Sequence, residues 1–333
     1  MLKKFLVLAA LIGLLSMAGN AAAGSTLALG AIGKTSDTYI MAVAWSSALK
    51  KAGSEVAITP LEGGGTVKLL RGVATGKYDI GFIGSPHYIN AVQGTLKFKK
   101  DPAQLREKYK DIRVLFGITS GMGQYVVRAD SGIEDILGLK GKKVAIGRPG
   151  GMAGTVTKLL FKAHGLAAGK DFQPQYLKYG PALDEMRNNR LDATFVWGGI
   201  PQAAAYNFSR QIPIRFLPID KQAFAKFVKQ MPQGQWYVLR QFEPSDLKKA
   251  YGKGVQQNGP ANFWTFQMQV VVRKDLPEKV AYQIVKGFWE HIDDVRSASV
   301  ALSKLNHKDS LESLSAKLHP GAAKYYREKG WLK

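Results

Sequence analysis

The sequence predicts an α/β protein built from two lobes that share one cleft. Short apolar runs alternate with amphipathic helices along the chain, which is the pattern of α/β proteins. The same order of motifs occurs twice, early in the chain and again after residue 138. With 333 residues, the chain is also long enough for two separate hydrophobic cores.

The first unit alternates strands with helices that begin after glycine-rich loops. Its predicted strands are Ser25–Leu29, Val56–Thr59 and Ile80–Ile83, and its predicted helices are Thr38–Lys51 and Thr66–Ala74. The first helix has its apolar residues on one face and two lysines in its last turn, and Gly53 follows its end. Asp79 precedes the third strand, and Gly84-Ser85-Pro86 is predicted to be a turn.

The second unit repeats this order over Leu139–Leu166 and Leu177–Pro201. Its first strand runs into a glycine loop at Gly147, and Asp192 corresponds to Asp79 of the first unit. A Gly/Pro turn, Gly198–Pro201, again follows the last strand. This order of motifs occurs only twice, once in each predicted lobe, whereas a solenoid repeats a short unit many times.

The amino-terminal residues predict export. Lys3 and Lys4 precede an apolar run from Phe5 to Met17, and small residues continue from there to Ala23. We expect a signal peptide over residues 1–23, because the run is shorter than the about 20 apolar residues of a membrane span. The chain has no cysteine, which excludes disulfides and a lipidated cysteine. The predicted location is therefore periplasmic, and the protein is not a lipoprotein.

The formal net charge of +22 at pH 7 is unusually high. The basic residues are spread over separate elements, and no arginine-rich run or nucleic-acid motif occurs. This distribution predicts a solvated surface with a secondary attraction for anions, and it argues against a nucleic-acid partner.

Five loops are expected to meet at one cleft, because ligands of open α/β sheets bind beyond the carboxyl ends of the strands. Helix N-termini in such loops offer unpaired N–H groups and a positive dipole end, which favour a carboxylate. A nucleotide is not predicted, since Ala28 stands where a P-loop ending in Gly33-Lys34-Thr35 needs its first glycine. The five loops are Gly30–Tyr39, Gly63–Thr66, Gly84–His87, Gly147–Thr155 and Trp197–Pro201.

The predicted ligand-binding residues in these loops include Thr35, Ser36, Thr38, Gly65, Ser85, His87, Arg148, Gly151 and Trp197. Arg148 can pair with a carboxylate or can be an outward-facing surface arginine. His87 can contact the ligand or pack, and Trp197 can form a cleft wall or pack. Trp236-Tyr237 and Phe263-Trp264 are weaker aromatic candidates.

The residues that catalysis requires are missing. No Gly-x-Ser-x-Gly elbow occurs, and no two histidines have the His-x-x-x-His spacing of a metal site. Adjacent acids such as Asp184-Glu185 do not face each other on a helix, so they form no acid–base pair. We therefore predict a protein that is not an enzyme and that uses no cofactor or metal.

Several motifs resemble the TAXI family of TRAP-transporter solute receptors, over almost the whole chain after the signal peptide. The most specific is "LHPGAAKYYREKG", Leu318–Gly330. "GTVKLLRGVATGKYD", "LKGKKVAIGRPGG" and "LDATFVWGGIP" resemble further family motifs. The chain departs from the family at Ser36-Asp37, where Gly-Gly is usual, and at Leu69, where many members have asparagine.

The resemblance implies a type II periplasmic-binding-protein-like fold, with two α/β lobes joined by a hinge and the ligand cleft between them. Chain crossings predicted near Ile118–Tyr125 and Phe263–Gln269 divide it into lobe I, residues 24–120 plus 266–333, and lobe II, residues 121–265. The resemblance places Tyr39, Thr66, Gly147 and the loop Gly150–Thr155, including Gly150, Gly151 and Thr155, in or beside the site. The tail at His319-Pro320-Gly321 is expected to pack a C-terminal helix onto lobe I.

The function implied is that of a monomeric extracytoplasmic receptor. It captures a small organic anion, such as an amino or oxo acid, and delivers it to a TRAP-type permease. Family members are associated with dicarboxylates such as glutamate and 2-oxoglutarate. Two alternatives stay open, namely an exported sensor or adaptor that acts on a signalling partner, and an enzyme on the same fold.

Overall fold

The computed structural model describes residues 25–34, 36–118, 121–299 and 302–333. The predicted signal peptide and Thr35 lie outside these residues. Within these ranges, no helix combines the length and the apolar character that crossing a bilayer requires.

The strands are β1 (Thr26–Ala31), β2 (Ala57–Glu62), β3 (Ile80–Gly84), β4 (Ile112–Ile118), β5 (Met122–Arg128), β6 (Lys143–Ala145), β7 (Gln173–Gln175), β8 (Ala193–Gly198), β9 (Ile214–Phe216), β10 (Val238–Phe242), β11 (Ala261–Thr265) and β12 (Met268–Arg273). The helices are α1 (Asp37–Lys51), α2 (Thr66–Ala74), α3 (Ser85–Gln93), α4 (Ala103–Tyr109), α5 (Met152–Ala163), α6 (Tyr179–Arg187), α7 (Ala203–Ser209), α8 (Lys221–Gln230), α9 (Pro244–Tyr251), α10 (Glu278–Glu290), α11 (Ile292–Ser297), α12 (His307–Leu311) and α13 (Pro320–Glu328).

The strands form two sheets with flanking helices, so the predicted two-lobed α/β fold is confirmed. The first sheet has the order β2-β1-β3-β12-β4. The second has the order β10-β11-β5-β8-β6-β7, and β9 pairs with β5 outside this path. In the text below, the first lobe is the first sheet with its helices, and the second lobe is the second sheet with its helices.

The repeated wiring predicted from the motifs is present in both sheets. The parallel set β2-β1-β3 of the first sheet corresponds to the parallel set β7-β6-β8 of the second. The matching aspartates of the two units also make equivalent hydrogen bonds. Asp79 Oδ2 accepts a hydrogen bond from the backbone N–H of Ala28, and Asp192 Oδ2 accepts one from Lys143, each at 2.8 Å. Each carboxylate therefore ties the last strand of its unit to the first.

The chain passes between the sheets twice. It leaves the first sheet after β4 and enters the second at β5, and it returns between β11 and β12. The two crossings lie side by side, since the Thr265 hydroxyl donates to the Gly121 carbonyl at 2.5 Å. β12 then inserts antiparallel between β3 and β4. The first sheet is thus completed by a strand that follows the second crossing, whereas the strands of the second sheet all lie between the two crossings.

The predicted turn Gly84-Ser85-Pro86 is instead the start of a helix. Gly84 ends β3 and caps α3, and Pro86 lies in the first turn of that helix. Proline suits this position because its fixed φ is helical and its missing N–H would have no partner there. The strand therefore joins the helix directly, and His87 is carried by the first turn of α3.

The C-terminal tail packs onto the first lobe, as predicted. The backbone N–H of His319 donates to the Val114 carbonyl at 2.9 Å, and α13 begins at the next residue. Further along α13, the Tyr326 hydroxyl donates to the Leu115 carbonyl at 2.8 Å. Both acceptors lie in β4, so the tail is fixed to the edge of the first sheet.

Candidate functional site

A cavity with residues of both lobes in its lining holds about 580 Å³ of empty space, its open mouth included. The lining from the first lobe and the returning crossing consists of Ile32, Gly65, Thr66, His87, Phe266 and Met268. The lining from the second lobe consists of Gly147, Arg148, Gly151, Met152, Ala153, Tyr179, Phe195, Trp197 and Trp264.

Two helices, one from each lobe, begin at this cavity. Gly65 is the N-cap of α2 and Gly151 is the N-cap of α5, and neither helix start receives a side-chain cap. The N–H groups of a first helical turn have no partner within the helix, and the helix dipole makes that end positive. The two N-termini therefore offer backbone donors to an anion, one from each lobe.

Arg148 is the charged residue of the described lining, and it connects the lobes. Its Nη1 lies 3.8 Å from Oε1 of Glu62, which ends β2 in the first lobe. Lys178 Nζ lies 3.5 Å from the same carboxylate oxygen. The Arg148 side chain is only 21% exposed, so its charge acts on the cavity through little solvent screening. An anion in the cavity can pair with this guanidinium in competition with Glu62.

A second polar contact between the lobes lies at Asp37, the first residue of α1. Its Oδ2 accepts a hydrogen bond of 2.7 Å from the backbone N–H of Gly199, in the loop after β8. Asp37 is only 8% exposed. Burial raises the pKa of this carboxyl from 3.8 to about 6, and the Gly199 N–H offsets only part of that rise. Through this bond Asp37 joins the two lobes.

We expect Asp37 to make the folded protein more stable as the pH falls. Its pKa is near 3.8 when unfolded and about 6 when folded, so its contribution is fully present below pH 4 and is lost as the pH rises through 6. Between pH 7 and pH 4 this adds up to about 3 kcal/mol to the free energy of unfolding. Urea unfolding of the protein and its Asp37→Asn variant at pH 4, 5, 6 and 7 measures the difference. A stability difference that stays constant over this range would contradict the assignment.

His87 lines the cavity as a neutral, unpartnered imidazole. It is 2% exposed, and neither ring nitrogen has a hydrogen-bond partner in the part of the chain that the structure describes. Burial lowers its pKa to about 3. Its ring packs edge-on against Phe266 at a centroid distance of 4.9 Å. Buried polar groups in native proteins are nearly always hydrogen-bonded, so this imidazole is available to a ligand.

Several of the predicted site residues come together in the cavity lining: Gly65, Thr66, His87, Arg148, Gly151 and Trp197. Others lie outside it: Ser36, Thr38, Tyr39, Ser85, Gly150 and Thr155. Thr35 lies outside the described residues. The prediction of ligand contact stays a prediction for all of them.

The residues outside the lining shape the loops next to it. The Ser36 hydroxyl donates to the Gly33 carbonyl at 2.6 Å, and Thr38 Oγ1 accepts from the Ile32 N–H at 3.2 Å. These bonds fold the loop between β1 and α1. The buried Ser85 hydroxyl donates to the Gln267 carbonyl at 3.1 Å, which fixes α3 to the returning crossing.

Much of the aromatic lining was not predicted. Tyr179, Phe195 and Phe266 line the cavity without having been candidates, and Trp264 was only a weak one. Phe266 lies between β11 and β12, inside the predicted crossing at Phe263–Gln269. Side chains at a crossing between lobes border the cleft, so the predicted position of this crossing could have identified Phe266 as a lining residue although its residue type could not. Leu69 is fully buried and is not part of the lining.

The model of the NMT1-like family matches residues 29–330. The chain belongs to the NMT1-like family. The match includes both sheets apart from the first residues of β1, and it includes every residue of the described cavity lining.

This NMT1-like protein is similar to solved structures of periplasmic binding proteins. One is the aliphatic sulphonate binding protein SsuA of Escherichia coli, at 15% identity over 91% of this chain and 83% of that chain, with a TM-score of 0.44. Another is the alkanesulfonate-binding SsuA of Xanthomonas axonopodis pv. citri, bound to MOPS, at 15% identity over 94% and 96%, with a TM-score of 0.46. A third is a TRAP periplasmic solute binding protein of Shewanella oneidensis with bound succinate, at 11% identity over 92% of each chain, with a TM-score of 0.48.

Proposed function

We propose that this protein is an extracytoplasmic receptor of the TAXI type that captures a small organic anion between its lobes. The bound anion, a carboxylate such as an amino or oxo acid, is then delivered to a TRAP-type membrane permease. The proposal includes periplasmic location after cleavage of the predicted signal peptide. It assigns no catalytic step, because the groups around the cavity bind and orient without a nucleophile or an acid–base pair.

The observation that carries this proposal is that Arg148 and two uncapped helix N-termini border the same cavity. A guanidinium and backbone N–H groups are the donors that carboxylates use in proteins. Because these donors come from both lobes, a ligand that contacts all of them favours the closed arrangement over an open one. Capture and closure are then the same event, which is the property that a transport receptor needs.

Within this proposal, Gly65, Thr66, His87, Arg148, Gly151 and Trp197 contact the ligand. Ser36, Thr38, Tyr39 and Ser85 hold the surrounding loops in place. Two bodies move on closure. One consists of residues 24–120 together with 266–333, and the other consists of residues 121–265. Their two crossings are the hinge.

A thermal-shift titration tests the binding function. We expect at least one member of a broad carboxylate panel to raise the melting temperature, because a ligand that binds only the folded state stabilises it. At 100 times Kd the stabilisation is about 2.7 kcal/mol. The matched primary amines and alcohols, which carry no negative charge, are the control panel and are expected to have no effect. If no carboxylate shifts the melting temperature, the receptor function is wrong.

Delivery to a permease is tested separately, in proteoliposomes that contain a TRAP-type permease from the same organism. Uptake of the identified ligand is expected to depend on the purified receptor and to saturate with its concentration. Binding without receptor-dependent uptake would favour the sensor or adaptor alternative.

A further inference from the structure

Five of the fifteen residues that line the cavity are aromatic, and they include its bulkiest side chains. Its lining contains the rings of Tyr179, Phe195, Trp197, Trp264 and Phe266, together with the apolar side chains of Ile32, Met152 and Met268. Arg148 is the charged residue of the described lining, and no carboxylate belongs to it. Within the lining, an α-ammonium group would therefore find no opposite charge, and a second carboxylate would find no second cation. Glu62 and Lys178 lie beside Arg148 but outside the lining, and they pair with each other at 3.5 Å.

The rings form a fixed, stacked surface. Trp197 stacks on Phe266 with centroids 4.8 Å apart and ring planes at 26°. Trp264 stacks on Phe195 at 5.8 Å and 19°, and it also contacts Trp197 at 5.1 Å. Offset-stacked arrangements of this kind are the favoured geometry for a further ring. Among these stacked rings Trp197 is the partly exposed one, so a flat ring that enters the cavity would extend the stack at Trp197.

The backbone next to these rings leaves no room for them to retreat. A side chain at Gly121 would collide with the Trp197 ring, and a side chain at Gly123 would collide with the Trp264 ring. Trp197 therefore rests on the backbone just before β5, and Trp264 rests on the backbone of β5 itself. Walls that are held in this way keep their shape before a ligand arrives, which reduces the entropy cost of binding.

We infer that the ligand of this cavity is a planar aromatic monocarboxylate whose ring stacks within the aromatic wall while its carboxylate meets Arg148. The inference rests on the proposed binding function and names its ligand class. His87 supplies one further hydrogen bond, because its two ring nitrogens have no described partner. A ring substituent such as a hydroxyl can donate to or accept from this neutral imidazole. The inference narrows the carboxylate of the proposed function to an aromatic one, so aliphatic amino and oxo dicarboxylates are disfavoured.

Isothermal titration of the full-length purified protein tests the inference with two sets of probes. The aromatic set is benzoate and the three hydroxybenzoates, and the aliphatic set is succinate, glutamate and 2-oxoglutarate. We expect the Kd of the best aromatic probe to be at least about tenfold lower than that of the best aliphatic probe. Quenching of tryptophan fluorescence is expected to follow the same titration, because the ring stacks on Trp197.

Two variants and one control separate stacking from general damage. Trp197→Leu and Phe266→Leu are expected to weaken aromatic binding about tenfold and to change aliphatic binding little. Trp236→Leu removes a half-buried ring outside the lining and is expected to change neither. The melting temperature of each variant without ligand checks that it is folded.

The possible failures are distinguishable. If aliphatic dicarboxylates bind as tightly as the aromatic set, the ligand class is wrong and the receptor function stands. Equal losses for both probe sets in Trp197→Leu and Phe266→Leu also overturn the ligand class, because the rings would then only shape the cavity. If neither set binds, the receptor function fails and the ligand class fails with it.

Discussion

Replacing Arg148 by glutamate is expected to weaken binding of an organic anion by at least about 100-fold. Truncating one partner of a desolvated charge pair usually costs about 2–5 kcal/mol, and charge reversal adds repulsion. The side chain is only 21% exposed and borders the cavity, so little solvent screens it. Isothermal titration with the carboxylate that gives the largest thermal shift measures the effect.

Two further variants extend this prediction: one is expected to increase the affinity, and the other is a control that should leave it unchanged. Glu62→Gln is expected to tighten binding severalfold, because the Glu62 carboxylate lies 3.8 Å from Arg148 and competes with the ligand for its guanidinium. Arg327→Glu applies the same charge reversal to an exposed arginine of α13, outside the described lining, and is expected to leave Kd unchanged. Equal affinities in Arg148→Glu and the unmodified protein would mean that Arg148 is a surface arginine after all.

Replacing Trp45 by alanine is expected to lower the free energy of unfolding by about 3–5 kcal/mol. Trp45 is fully buried on α1, where its ring meets Phe116 of β4 at 5.5 Å and Phe288 of α10 at 5.3 Å. Its indole N–H donates to the Ile284 carbonyl at 2.9 Å. The substitution thus removes both the packing between three elements of the first lobe and a buried hydrogen bond. Chemical denaturation measures the loss.

A graded variant separates these two contributions. Trp45→Phe keeps an aromatic ring but removes the indole N–H, and we expect a loss of about 1–2 kcal/mol. Trp236→Ala is the control, since Trp236 is only half-buried and lies outside both apolar cores. If Trp45→Ala costs no more than Trp236→Ala, the account of the first core is wrong.

The fold was predictable from the sequence because its main signals are local. Strand–glycine–helix order appears twice in the motifs, and the matching aspartates at Asp79 and Asp192 make matching hydrogen bonds. The exception was Gly84-Ser85-Pro86, whose residues suit a turn and a helix start equally well. Only the packing of α3 against the returning crossing, through Ser85 and Gln267, decides between the two.

The cavity was predictable only where loops carry a chemical signal. The glycine N-caps and Arg148 were identified because helix starts and cations favour anions wherever the fold places them. Of the aromatic wall, the sequence indicates only Trp197 and, more weakly, Trp264, because an aromatic residue is as often a core residue as a ligand contact. Phe195 and Trp264 pack against the core and line the cavity at once, and this double role depends on how two distant segments meet. The Asp37–Gly199 bond between the lobes is equally non-local.

A crystal structure of the protein with its tightest-binding carboxylate is the most direct test of a shared anion site between the lobes. The account predicts density for the ligand in this cavity, with a carboxylate oxygen at about 3 Å from the Arg148 guanidinium and from backbone N–H groups at the starts of α2 and α5. It also predicts a ligand ring parallel to the aromatic wall at Trp197. Density for the ligand elsewhere, for example in the groove lined by Trp236, Arg240 and Glu312, with only water in the cavity, would contradict it.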